Sequence, residues 1–269
     1  MMRIAAVQIN AHPDSAANLA KMAYWVERLM ERDRPDLIVF PEYCAYISSN
    51  ADLLRANAEV EGKGPACDLM STLAAKHDVH IHLGSLIEQR GGRYYNTSIL
   101  FDRSGAITAR YSKIHRFDVT LPDGTQILES LMVDGGEEVV VADIDGVKIG
   151  FSICYDLRFG ELFRALEAKG AQVILVPAAF TQQTGIDHWE ILLRARAIET
   201  QCYVVAPGQI GSYDNGTRTS FGHTMAIDPW GLIMAQAPNS ESAITVDIDI
   251  DHLNAIRAKL PVSQHHVLK

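Results

Sequence analysis

Residues 147–162 read Val-Lys-Ile-Gly-Phe-Ser-Ile-Cys-Tyr-Asp-Leu-Arg-Phe-Gly-Glu-Leu. The apolar run stops at Cys154, and a helical pattern takes over across about 159–169. The stretch therefore predicts a buried strand that turns into a helix through a cysteine-bearing loop, with Asp156 placed to cap the helix. Just upstream, 139–144 and 147–153 flank Asp145-Gly146, a dipeptide that favours the tight turn of a hairpin. Working outward, the alternation continues. Downstream come a strand (173–176), a helix (189–200) and short strands at 203–207, 223–228, 232–236 and 243–248. Towards the N-terminus lie strands at 79–87 and 95–102 joined by Gly91-Gly92, a helix at 66–77 and a strand at 37–40. Before these, a helix opened by Asp14 or Ser15 carries Leu19, Met22, Trp25, Val26, Leu29 and Met30 at helical spacing, and it follows a strand at 4–9. No Pro/Ser-rich linker or repeat interrupts the series, so residues 1–269 are expected to form one α/β domain with helices covering the sheet faces.

Composition narrows the function. Hydrophobic residues are 48% and charged residues 21% of the chain, which suits a folded core rather than a disordered segment. A net charge of -9 argues against a nucleic-acid partner, since phosphates demand a clustered positive surface. Cys44, Cys67, Cys154 and Cys202 show no paired CxxC spacing, which favours reduced thiols and a cytoplasmic setting. Residues 1–10 lack a signal-peptide pattern, and no apolar run approaches a membrane span. In that setting the Asn-x-Ser/Thr matches at Asn96 and Asn215 are chance.

Chemistry in such folds collects where strands give way to loops. Three segments qualify. Glu42 follows directly on an apolar strand in Phe40-Pro41-Glu42-Tyr43. Alone it reads either as a solvated loop residue or as a carboxylate held by a partner, because a lone buried charge is costly. Lys113, in Tyr111-Ser112-Lys113-Ile114-His115, reads alone as a surface lysine. Cys154 reads equally as a buried structural thiol or as a thiol near a helix N-terminus, whose pKa would be lowered. Other arrangements are weaker. Gly150-Phe-Ser152-Ile-Cys154 lacks the last glycine of a serine-hydrolase elbow. His77, His80 and His82 have no metal-motif spacing and read better as core or solvated histidines. Neither a G-x-G-x-x-G motif nor a P-loop occurs.

Together the three segments resemble the glutamate, lysine and cysteine motifs of the nitrilase, or carbon–nitrogen hydrolase, superfamily, the third being Ile153-Cys154-Tyr155-Asp156-Leu157-Arg158-Phe159. The segment Asp187-His188-Trp189-Glu190, the run 194–199 and the turn Asp228-Pro229-Trp230-Gly231 extend the likeness, which covers about 4–266. The resemblance implies a four-layer αββα sandwich that dimerises to αββα–αββα. Candidate interface residues are Leu162, Ala165 and Leu166, then Ile191, Leu192, Ala195 and Ile198. It implies Glu42 as general base, Cys154 as thioester-forming nucleophile, and Lys113 with the Tyr155 backbone N–H as oxyanion donors. Glu129, in Leu128-Glu129-Ser130, resembles a fourth family residue that orients Lys113 and the hydrolytic water. Neither metal nor organic cofactor is implied.

The stretches 211–225 and 257–265 resemble the Nit branch of amidases, which hydrolyse ω-amides of keto acids such as deaminated glutathione or α-ketoglutaramate. The implied partner is thus a small-molecule amide. A nitrile or N-carbamoyl amino acid hydrolase with the same triad is the alternative, and a non-catalytic interaction protein of this fold is another. The 119–126 loop is expected to border the pocket, Phe180 and Thr181 to wall it, and Arg116 or Arg218 to meet a substrate carboxylate.

Overall fold

Successive side chains of the strand Met2–Gln8 enter different cores, and this sets the layering of the molecule. Ile4 and Ala6 join Leu37 and Val39 against a second sheet, whereas Ala5, Val7 and Ile38 pack under the helices Ser15–Arg32 and Pro65–His77. A strand apolar on both faces needs cover on both sides, because its side chains alternate with period two. The computed structural model describes residues 1–120, 124, 126–265 and 267.

The first sheet runs in the order Ser242–Ile248, Met2–Gln8, Leu37–Val39, His80–Arg90, Arg93–Phe101, Ile107–Ser112, with Glu59–Val60 attached to His80–Arg90. The second runs Ile233–Gln236, Met225–Ile227, Tyr203–Ala206, Val173–Leu175, Val147–Phe151, Val141–Ile144. The central strands of each are parallel and the flanking ones antiparallel. The helices Gly160–Ala168 and Gln182–Thr200 contribute Leu162, Phe163, Leu166, Trp189 and Leu193 to the core of the second sheet. Gly150 lets the first of them approach: a Cβ there would lie 3.3 Å from a Leu166 methyl. The resulting αββα order is the one expected from the sequence. Among the described residues no helix is long and apolar enough to cross a membrane.

Several local expectations need correction. The helix predicted at 189 begins at Gln182, because Gly185 serves close packing rather than helix termination; a Cβ there would come within 2.3 Å of the Phe221 ring. Asp156 does not cap Gly160–Ala168, whose N-cap is Phe159 without a side-chain hydrogen bond. Leu162 and Leu166 face their own sheet, so they are not available to a partner. His82 is a core residue beside Phe151, ring centroids 5.3 Å apart, and burial pushes its pKa down to about 3. The 119–126 segment belongs to a hairpin, Asp118–Thr120 with Gln126–Leu128, while Leu121, Pro122, Asp123 and Thr125 lie outside the described residues. Apolar periodicity does not announce the helices Ala51–Ala56 and Ile250–Lys259 or the hairpin Ile210–Tyr213 with Arg218–Phe221. The two helices rest on side-chain caps from Asn50 and Asp249.

Candidate active site

Glu42, Lys113 and Cys154 each follow a strand end, and they meet between the two sheets' ends. Glu42 reaches its place because the chain at Phe40-Pro41 crosses directly over Gly84, where a Cβ would sit 1.9 Å from the Phe40 carbonyl oxygen. Only glycine permits that approach. Lys113 follows Ile107–Ser112, its backbone N–H donating to the Asn96 carbonyl at 2.8 Å. Cys154 closes the loop after Val147–Phe151 and has φ +47, a left-handed conformation unusual for a side-chain-bearing residue and frequent at functional turns. Its N–H donates to the Pro177 carbonyl at 2.9 Å, and that of Asp156 to Ile153 at 3.0 Å. The Tyr155 N–H between them has no protein acceptor among the described residues.

The Lys113 ammonium is clamped by carboxylates. It donates to Glu42 Oε1 at 2.9 Å and to Glu129 Oε1 and Oε2 at 3.0 and 2.9 Å, with all three side chains buried. Burial works against the charge on Lys113, but Glu129, Glu42 and Cys154 outweigh it and hold the ammonium well above its usual range. Burial likewise opposes the Glu129 charge, yet Lys113 and the Phe117 N–H at 2.6 Å leave its carboxyl below the ordinary value. Glu42 is fixed further by the Ala179 N–H on Oε2 at 2.8 Å and by Gln209, whose amide donates to the Glu42 carbonyl at 3.0 Å.

The expected lowering of the Cys154 pKa is not found. Burial and the Glu42 carboxylate push the thiol well above its ordinary value, and Lys113 only partly offsets them. The helical turn at Cys154–Arg158 is too short to reverse this balance. Cys154 is thus held towards its thiol form, with Glu42 beside it.

Asn96, which the sequence presents only as a glycosylation match, belongs to the cluster. Its Nδ2 donates to Glu42 Oε1 at 2.9 Å and to Glu129 Oε1 at 3.2 Å, bridging the two carboxylates. Tyr43 adds an O–H to Glu129 Oε1 at 3.1 Å. The available signal for Asn96 was the buried polar run Asn96-Thr97-Ser98 inside an apolar strand. Asp156 is a second such residue. Fully buried, it accepts from the His115 N–H and ring, the Tyr111 hydroxyl and the Ile153 N–H, at 2.6 to 3.0 Å. It thereby ties the lysine segment to the cysteine turn.

These groups open onto a cavity of about 440 Å³. Phe180 and Thr181 line it as expected, and so does Arg218, but Arg116 does not; its guanidinium lies by Gly135. Arg158 stands in the cavity instead, 5.2 Å over the Phe180 ring. Among the described residues no group of His, Cys, Asp and Glu suited to a metal ion occurs. The arrangement joins a thiol, a buried carboxylate, a fixed ammonium and a backbone N–H without a protein acceptor among the described residues, groups of the kind that acyl transfer from an amide requires.

Comparison with known proteins agrees. A family model described as carbon–nitrogen hydrolase matches residues 3–258. A deaminated glutathione amidase from Yersinia enterocolitica is 41% identical over 98% of this chain and 92% of its own length. The Homo sapiens protein of that name is 36% identical, covering 97% of this chain and 81% of its own. The crystal structure of the Caenorhabditis elegans NitFhit protein superposes with TM-score 0.90 at 34% identity; the match covers 98% of this chain but 65% of that longer one. Saccharomyces cerevisiae Nit3, a member of branch 10 of the nitrilase superfamily, gives TM-score 0.87 at 30% identity, over 97% and 95% of the two chains. With its motifs placed in one cavity and residues 3–258 so matched, the chain belongs to the carbon–nitrogen hydrolase family.

Proposed function

We propose that this protein is a cysteine amidohydrolase acting on a small linear carboxamide, an ω-amide of a keto acid such as deaminated glutathione. The observation that carries the mechanism is the Lys113 ammonium held at 2.9–3.0 Å between Glu42 and Glu129, in the cavity that Cys154 lines. Glu42 takes the Cys154 proton as the sulfur attacks the amide carbon, so the base and the thiol exchange one proton within the buried cluster. The carbonyl oxygen becomes an oxyanion facing Lys113 Nζ and the Tyr155 N–H, each such donor being worth about 3 kcal/mol of barrier. Collapse expels the amine with the proton from Glu42 and leaves a thioester. Water, deprotonated by Glu42, then attacks the thioester and releases the carboxylic acid and the thiol. Glu129 and Asn96 hold Lys113 and Glu42 in register throughout. The names of the amidase relatives and the cationic Arg158 in the cavity support a carboxylate-bearing substrate.

The chain works in this reading as one domain, 1–269, and as a homodimer or higher homo-oligomer. Ile191 and Ile198 project from one face of the helix Gln182–Thr200 at 69 and 50% exposure, Ile198 packing by Gly231 next to Trp230, itself 56% exposed, an apolar patch that suits a second copy. Light scattering of Ile191→Glu tests it: a species no smaller than the wild type counts against that interface. The unpaired state of Cys44, Cys67, Cys154 and Cys202 supports a cytoplasmic location, checked by fractionation. The substrate is tested by amine or ammonia release from deaminated glutathione, α-ketoglutaramate, succinamate, an N-carbamoyl amino acid and a simple nitrile, with Cys154→Ala alongside. Activity confined to the last two moves the substrate to the alternatives. Hydrolysis that survives Cys154→Ala overturns the mechanism, and a fully silent panel favours a non-catalytic role.

A further inference from the structure

Besides Lys113, which Glu42 and Glu129 hold, the cavity carries two guanidiniums, Arg158 and Arg218. Arg158 sits four residues after Cys154 on the same short turn, over the Phe180 and Tyr155 rings at 5.2 and 5.9 Å. Arg218 comes from a different element, the hairpin Ile210–Tyr213 with Arg218–Phe221. Among the described residues neither guanidinium makes an ion pair with a carboxylate; Arg158 Nη1 has its polar contact only with the His188 ring, at 3.3 Å. Both guanidiniums are thereby open to an anion that enters the cavity.

The hairpin is placed to hold Arg218 still. Its root is fixed by the Phe221 N–H donating to the Phe180 carbonyl at 2.8 Å and by a bridge between Thr181 and Ser220. Its tip is fixed across the cavity rim, where Asp214 accepts from the Ser48 hydroxyl and the Ser49 N–H. Arg218 lies two residues before Ser220 on the same strand face, roughly 7 Å along the strand towards that tip. Ser48, Ser49 and Tyr213 line the cavity with it.

Resting on the amidase reading above, we infer that Arg218 is a specificity residue that binds a second carboxylate, one carried by the departing amine. Arg158 belongs to the turn that carries Cys154, and Arg218 to a separate hairpin on the same cavity, so the two can meet carboxylates on opposite sides of the scissile bond. In an amide such as deaminated glutathione the amine side ends in a glycine carboxylate. The preferred substrate class is then a secondary amide flanked by carboxylates on both sides, rather than a primary amide that releases ammonia. The bidentate fit of guanidinium to carboxylate gives Arg218 a reason to be arginine and not lysine.

The test compares deaminated glutathione with the same compound capped as a C-terminal primary amide, using wild type, Arg218→Gln and Arg218→Lys. The readout is the ratio of kcat/KM for the free acid to that for the capped amide. A general loss of folding moves both terms alike and leaves the ratio intact. In the wild type the ratio should be about 10- to 100-fold, carried mainly by KM, as for a charged hydrogen-bonded pair. It should fall towards unity in Arg218→Gln and be partly retained in Arg218→Lys. A wild-type ratio near unity, or one that persists in Arg218→Gln, overturns the assignment. Wild type silent on both compounds, while active on another amide, removes deaminated glutathione as the substrate and the assignment with it.

Discussion

Replacing Glu129 by glutamine preserves volume and removes one charge from a site where every oxygen lone pair is spoken for. Oε1 accepts from Lys113, Asn96 and Tyr43 at 3.0, 3.2 and 3.1 Å, and Oε2 accepts from Lys113 and Phe117 at 2.9 and 2.6 Å. Whichever oxygen becomes an amide NH2, a donor then faces a donor, and Lys113 keeps only Glu42 as counter-charge. Losing one charge-assisted bond costs about 1.5–3 kcal/mol, and breaking a buried ion cluster by removing one member costs about 3–5 kcal/mol. A net loss near 3 kcal/mol corresponds to roughly 6–12 °C in Tm for a chain of this size. In the proposed mechanism Lys113, as oxyanion donor, also loses its position, which should lower kcat/KM by about 100-fold or more. The pH dependence has a fixed sign. Because the folded carboxyl is held below its ordinary 4.5, its stabilisation is present above that pH and is lost as the pH falls through the lower folded value. Wild type and variant should therefore converge in stability under acid. Calorimetry across pH 3–8 and steady-state amide hydrolysis measure both effects. A folded Glu129→Gln protein with Tm within about 2 °C and kcat/KM within about 3-fold of wild type would refute the clamp.

Two further outcomes follow from the buried charges. Glu42→Gln should abolish amide hydrolysis while making Cys154 alkylate faster with iodoacetamide at pH 8, because the carboxylate that raises the thiol pKa is gone; slower alkylation than wild type contradicts this. His82 has a folded pKa of about 3 against an ordinary 6.5, so folding loses stability as the pH drops from 6.5 towards 3. At pH 5 that loss is about 2 kcal/mol, and His82→Leu should recover it, raising Tm more at pH 5 than at pH 7.5. Equal gains at the two pH values would mean the imidazole is not the titrating group.

The layered α/β architecture was legible in the chain itself. Short runs such as Leu37–Val39 and Val173–Leu175 are apolar on both faces and so need cover on both sides, while Ser15–Arg32 carries one apolar stripe. The hairpin at Asp145-Gly146 was legible too, since both residues adopt the positive φ, 50° and 84°, that this dipeptide tolerates best. Glu42, Lys113 and Cys154 were marked by their strand-end positions and motif context, but their meaning was not. A carboxylate, an ammonium and a thiol separated by long stretches of sequence become a coupled set only when two sheets bring them together and water is removed.

That packing also decided what local reading could not. It turned an expected low thiol pKa into a raised one, because desolvation and the Glu42 charge exceed what a short helical turn supplies. It brought Asn96 between two glutamates and Asp156 between two motif segments, roles with no sequence-local trace beyond a polar residue in an apolar strand or turn. It replaced Arg116 by Arg158 and set Arg218 on the same cavity. Periodicity is fixed by neighbours a few residues apart and can be read from the chain. Electrostatics at the site is fixed by groups up to 167 residues apart, as between Glu42 and Gln209, and by the water that their packing excludes.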